Sequence, residues 1–181
     1  MKYNNYLKSC PKVSEIGIGA WQLGESSDWE SMSEKEAIEL VNKALDLGVN
    51  FFDTAPNYGN GTSEIRLGKA LKEIDRSKIV INTKFGHPAT GGTNFESNSI
   101  RESLEGSLRR LQTDYVDSII MHNPPCEYLD GNKTDHYEIF EKLKEEGKIK
   151  AYGASLDSYD EMKLLMETTG SKVIEAFFNI F

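Results

Sequence analysis

Apolar residues recur along this chain in two alternating rhythms, a helical spacing of three to four and short continuous runs. The first helical set is Ala37, Ile38, Val41, Ala44 and Leu45, which predicts a helix over 34–47. Ser33 stands at the N-cap with Glu36 as its reciprocal partner, and Gly48 stands where the helix should stop. Similar spacing predicts helices over 63–73, 97–111, 135–146 and 158–167. Strand-like runs fall at 15–20, 49–53, 78–83, 115–121, 149–154 and 172–178. Six strands thus alternate strictly with five helices. Such alternation argues for a parallel sheet with crossover helices.

Two architectures satisfy that order, a doubly wound open sheet and a (β/α) barrel. The segment Gly17-Ile-Gly19-Ala-Trp-Gln22 places Gln22 where a dinucleotide-binding fingerprint needs glycine, and the next helix waits until about Ser33. Both features count against the doubly wound form. The polar residues point to the barrel. Asp53, Lys84 and His122 close the second, third and fourth strands, Tyr58 lies in the loop after Asp53, and Ser155 follows the fifth strand. A parallel barrel builds its active site on that C-terminal rim. Taken singly, these are a turn aspartate, a surface tyrosine, a snorkelling lysine and a half-buried histidine. Together they bring a carboxylate, a phenol, an amine and an imidazole to one place.

Composition narrows the field. The 181 residues fit one domain, 1–181, with 38% hydrophobic and 28% charged residues. Twenty-one basic residues against 29 acidic ones give a net charge of −8, which weighs against nucleic acid as a partner. No apolar run approaches the length of a membrane span, and the N-terminus lacks the apolar stretch of a signal peptide. Cys10 and Cys126 are isolated, as reduced thiols of a cytoplasmic protein would be. His87, His122 and His136 are dispersed, with no HExxH or CxxC pair, so no metal site is expected.

Four segments carry a specific resemblance. They are Lys12-Val-Ser-Glu-Ile-Gly-Ile-Gly19-Ala-Trp21-Gln-Leu-Gly24; Asp53-Thr-Ala-Pro-Asn-Tyr58-Gly59 followed by Ser63-Glu64 and Leu67-Gly68; Thr83-Lys84-Phe-Gly86; and Asp114-Tyr-Val-Asp117-Ser-Ile-Ile-Met-His122-Asn-Pro-Pro125. In content and spacing they resemble the aldo-keto reductases, and the resemblance runs from about residue 2 to the end. It implies a TIM (β/α)8 barrel with an N-terminal β-hairpin supplied by residues 2–14, and NADPH-dependent reduction of an aldehyde or ketone. It makes Tyr58 the general acid, Lys84 the ammonium that lowers its pKa, Asp53 the holder of Lys84, and His122 the group that orients the carbonyl oxygen. A free phenol, with a pKa of about 10, needs such help to donate near neutral pH. The resemblance also assigns Gly19, Ala20, Trp21, Asp53, Ser155 and Glu175 to the cofactor. Tyr58, His122 and Trp21 face the carbonyl substrate; Trp29 either joins that aromatic wall or decorates a surface loop.

Two departures stand out. Leu156 replaces an asparagine of the family, and Glu175, in the segment ending at Asn179, replaces a glutamine. A carboxylate at 175 can accept from the nicotinamide carboxamide but cannot donate to it. Length is the other departure, because a complete barrel has eight strands in about 250 residues and only six are predicted here. An incomplete barrel leaves the sixth strand as an apolar edge, expected to pair with a second copy or with a complementing C-terminal half. The alternative readings are an inactive truncated fragment and a reductase-like binding or regulatory module.

Overall fold

The computed structural model describes residues 1–25 and 30–176. It opens with a small antiparallel hairpin, β1 (Tyr3–Asn4) on β2 (Val13–Ser14). Six parallel strands follow in sequence: β3 (Ile18–Gly19), β4 (Phe51–Asp53), β5 (Val80–Phe85), β6 (Val116–His122), β7 (Ile149–Leu156) and β8 (Val173–Ala176). Five helices cross between them: α1 (Glu34–Asp46), α2 (Thr62–Leu71), α3 (Ile100–Leu111), α4 (His136–Glu145) and α5 (Tyr159–Thr168). Each strand pairs only with its neighbours in sequence, so β3 and β8 are the outermost strands of a curled half-barrel. The register sets Gly19 opposite Asp53, Lys84 opposite Ile120, and His122 opposite Ser155.

Local chemistry explains the helix starts. Ser33 and Glu36 form a reciprocal capping box on α1, and Ser158 with Glu161 repeats it on α5. The strands alternate two faces. Phe52, Ile81, Phe85, Ile119 and Tyr152 pack outward against helix residues such as Leu104 and Phe140. The inner face carries the polar rim, and lower down Ile120, Ala151 and Val173 are covered by Tyr6 and Leu7 of the hairpin connection. Tyr6 Oη lies 2.7 Å from Ser118 Oγ, and that hydroxyl donates to Asn82 Oδ1 at 2.6 Å.

One buried charge ties the lower end together. Asp117 is fully buried; it accepts from Arg76 at 2.8 Å, from the Ile81 amide at 3.0 Å, from Lys150 at 2.7 Å and from Cys10 Sγ at 3.4 Å. Four donors are what a carboxylate out of water requires. Burial and the facing Asp117 push the Cys10 thiol up to about 11.

The six-strand, five-helix order follows the sequence pattern, and several boundaries move. The run at 15–20 shortens to Ile18–Gly19, because a 3-10 turn at Ala20–Leu23 takes over. The third and fifth parallel strands extend to Phe85 and Leu156, so Lys84 and Ser155 lie within strands rather than at or past their ends. The start of 97–111 is a 3-10 turn, Ser97–Ser99. Trp29, and the end of the last strand including Phe177, Phe178 and Asn179, lie outside the described residues. No described helix is long and apolar enough to cross a membrane.

Candidate active site

The rim side chains converge on Lys84. This lysine is 1% exposed, and its Nζ lies 2.5 Å from Asp53 Oδ2 and 3.3 Å from the Thr54 carbonyl. Asn82 Nδ2 donates to the other Asp53 oxygen at 2.6 Å, which fixes the carboxylate from both sides. Tyr58 covers the ammonium, with Nζ 5.2 Å from its ring centre. His122 meets the same ring edge-on at 5.9 Å, and Trp21 lies 6.4 Å from it on the outer side.

The loop that carries Tyr58 is held by close backbone approach. A Cβ on Gly24 would sit 2.7 Å from the backbone of Tyr58 and Gly59, so only glycine lets these segments touch. Behind them, Ser63 Oγ donates to the Ala20 carbonyl at 2.6 Å; its single proton is thereby used, so Thr54 Oγ1 donates to it at 3.0 Å. Glu64 is fully buried and accepts from Thr83 Oγ1 and from Arg110 Nε, both at 2.7 Å. That pair ties α2 and α3 to the strand that carries Lys84.

Charge balance sets the protonation states. Burial is the largest single influence on Lys84 and disfavours its charge, yet Asp53, Tyr58 and Glu175 together outweigh it and raise its pKa. Burial is also the main influence on Tyr58 and raises its pKa, reinforced by Asp53 and Glu175; Lys84 pulls the other way and loses. The expectation of a net lowering is therefore corrected. Lys84 does favour the phenolate, but a dry pocket with two carboxylates favours the phenol more. His122 is pushed down to about 3 by burial, then by Lys84 and His87, so it is neutral at physiological pH. Its Nδ1 is buried without a hydrogen-bond partner among the described residues.

The expected cofactor residues divide. Gly19 is exposed, with open space around its Cα, and Trp21 is 49% exposed beside it. Ala20 has no exposed surface and its carbonyl is taken by Ser63, so it supports this wall rather than lining it. Ser155 Oγ donates to Asn123 Oδ1 at 2.6 Å and accepts from the Asn123 amide at 2.8 Å. Leu156 is packed in the apolar core. Glu175 Oε2 lies 3.3 Å from Lys84 Nζ, making it the second carboxylate on that lysine. It lines a cavity of about 180 Å³ with His122, Asn123 and Ser155, and also a cleft of about 510 Å³ with Gly19, Asp53 and Asn82.

Two residues at the site escaped the sequence reading. His87 hydrogen-bonds the His122 carbonyl through Nε2 at 3.0 Å, its ring 5.0 Å from that of His122. Asn123 holds Ser155 from a left-handed backbone, with φ of 48°. Asn123 directly follows β6 and His87 lies two residues past β5, both on the functional rim, and that position was the available signal.

The fold and this cluster define an incomplete (β/α) barrel of the type the sequence resembles. The model of the Aldo/keto reductase family matches residues 15–181, and the chain belongs to that family. It is 34% identical to the aldo-keto reductase YhdN of Bacillus subtilis over 186 residues, covering 100% of this chain and 55% of that protein. The holo form of aldo-keto reductase AKR11C1 from Bacillus halodurans superposes with a TM-score of 0.85 at 32% identity, covering 98% of this chain and 58% of the other. An aldo-keto reductase from Klebsiella pneumoniae in complex with NADPH gives a TM-score of 0.69 at 30% identity, covering 87% and 51%. The chain spans about half the length of the curated relatives it matches.

Proposed function

We propose that this chain carries the site of a cytoplasmic, NADPH-dependent reductase that converts a small aldehyde or ketone to an alcohol. The observation that supports it best is the buried Lys84 ammonium, held by Asp53 and covered by Tyr58, with neutral His122 meeting the phenol edge-on. The family and the NADPH complex of the Klebsiella relative support the same reading.

The residues present fit a nicotinamide. Gly19 leaves open space beside exposed Trp21, His122 Nδ1 is a buried atom unpartnered among the described residues, and Asn123, Ser155 and Glu175 bring amide, hydroxyl and carboxylate groups to one cavity. When bound, the cofactor supplies the hydride. The chain supplies everything else. Neutral His122 directs the carbonyl oxygen toward Tyr58. Tyr58, kept protonated by burial, donates its proton to that oxygen as the carbonyl is reduced. Lys84 then stabilises the phenolate, and Asp53 keeps Lys84 charged and in place. Among the described residues no cluster is arranged to hold a metal. Free Cys10 and Cys126 suit a reducing compartment. Pairing of outermost β8 with a second copy or a complementing segment is part of this reading, checked by light scattering.

The test is a titration of the protein with NADPH and with NADH, following tryptophan fluorescence beside Tyr58, then turnover with simple aldehydes. Tyr58→Phe should bind cofactor like the parent and reduce no aldehyde. Full reductase activity in that variant would sink the assignment.

A further inference from the structure

Of the two carboxylates paired with Lys84, Glu175 is the one that is not needed to hold it. Asp53 already contacts the ammonium at 2.5 Å with nearly ideal support from Asn82, whereas Glu175 reaches it at 3.3 Å from the other side of the half-barrel. The Lys84 side chain is buried, while that of Glu175 is 47% exposed. Glu175 lines two cavities, and shares the smaller one with His122, Asn123, Ser155 and Asp157. It therefore presents charge to the space where the proposed nicotinamide would lie.

The local charge can be summed by inspection. Asp53 and Glu175 each bring a negative charge and Lys84 one positive. Tyr58 and His122 are neutral. Around Lys84 the net charge is −1, contributed by Glu175, and an amide there would make it neutral; burial and Asp53 raise the Glu175 pKa while Lys84 opposes them, and the further carboxylates Asp157 and Glu15 line the smaller and larger cavities without an ion pair to Lys84. The two redox forms of a nicotinamide cofactor have the same phosphates and the same carboxamide. They differ at the ring by one positive charge, present in the oxidised form only. A carboxylate facing that ring discriminates between the forms; an amide of the same size does not.

We infer that Glu175 makes this site selective for the oxidised cofactor, by setting an unbalanced carboxylate against the cationic ring. The inference rests on the cofactor reading above and adds to it the redox form that the site prefers. It has a consequence for the chemistry. Because the reduced ring is neutral and the oxidised ring cationic, the same carboxylate favours hydride donation from bound NADPH and slows departure of NADP+. Burial, and to a lesser degree Asp53 and Glu175, raise the pKa of Tyr58, which keeps that acid protonated.

The effect is measurable without turnover. Dissociation constants for NADPH and NADP+ are determined by fluorescence titration on the parent, Glu175→Gln, Glu175→Ala and Glu175→Asp proteins, each checked by circular dichroism. Glu175→Gln and Glu175→Ala should shift the ratio of the two constants roughly tenfold in favour of the reduced form, the size expected for one partly exposed charge. Glu175→Asp, which keeps the charge, should retain most of the parent ratio. The shift should shrink as salt is raised from low ionic strength. If both forms bind and the ratio is the same in parent, Gln and Ala proteins, selectivity through Glu175 is wrong while the cofactor site stands. If a folded parent protein binds neither form, the cofactor reading fails and this inference fails with it.

Discussion

Lys84 and Tyr58 meet with the ammonium against the phenol ring, Nζ 5.2 Å from the ring centre, inside a pocket that keeps the lysine 99% out of water. The arrangement lowers the cost of phenolate without making phenolate the resting state, because burial and two carboxylates oppose it. Lys84→Met removes the positive charge that opposes them. Tyr58 should then titrate higher still than in the parent, and carbonyl reduction should fall at least 100-fold. Tyrosinate absorbance, with the Tyr58→Phe titration subtracted to isolate this residue, gives the direction. An unmoved midpoint would mean that Lys84 does not govern Tyr58.

His122 makes stability depend on pH in a defined direction. Its folded pKa is about 3, against an ordinary value of 6.5. The unfolded chain therefore binds a proton between those values that the folded chain refuses. This contribution to stability is complete above about pH 6.5 and is lost as pH falls toward 3. Partial exposure discounts the full linkage, leaving about 1 kcal/mol lost between pH 7 and pH 5. Urea unfolding of the parent and of His122→Gln at both pH values isolates it. The variant should lose less stability on acidification than the parent, and equal losses would show that His122 protonates freely in the fold.

The alternation of strands and helices was legible because the central strands hold short apolar runs, such as Ile79-Val-Ile81 and Ile119-Ile-Met121, and each helix keeps one apolar stripe. Asp53, Tyr58, Lys84 and His122 were legible for a related reason. A parallel barrel places strand ends on one rim, so position along the chain becomes position in space. The buried ion networks were not legible. Arg76, Asp117 and Lys150 come from three separate segments and meet only after folding. Glu64 looks like an ordinary surface residue of a helical stretch, yet it is fully buried against Thr83 and Arg110. Glu175 was legible as a site residue but not as a partner of Lys84, since that contact spans the half-barrel. The sign of the Tyr58 shift was missed for want of burial, which sequence does not supply.

Glu64 should be among the most sensitive positions for stability. It is 0% exposed and satisfies Thr83 and Arg110 at once, from α2 to β5 and α3. Glu64→Ala leaves the Arg110 guanidinium beside a cavity with its partner gone. Removing one member of a buried pair costs about 3 kcal/mol or more. Chemical denaturation should show a loss of that order, and Glu64→Gln, which preserves the shape and one hydrogen bond, should recover part of it. A loss under about 1 kcal/mol in Glu64→Ala would mean that Arg110 finds water instead.

Gly153 decides whether β8 stays attached. It pairs with Val173, and a Cβ there would fall 1.6 Å from the Val173 carbonyl oxygen, a distance no rotamer relieves because both atoms belong to backbone. β8 has little with which to resist. Of its four residues only Val173 is buried. Gly153→Ala should therefore release β8 locally rather than unfold the half-barrel. Hydrogen exchange should show amides 173–176 losing protection while those of β5 and β6 keep theirs. Release also carries Glu175 away from Lys84, so the cofactor preference of Gly153→Ala should move in the same direction as that of Glu175→Ala. Retained protection across 173–176 would show that the strand shifts along Gly153 without detaching, and the contact with Lys84 would then survive.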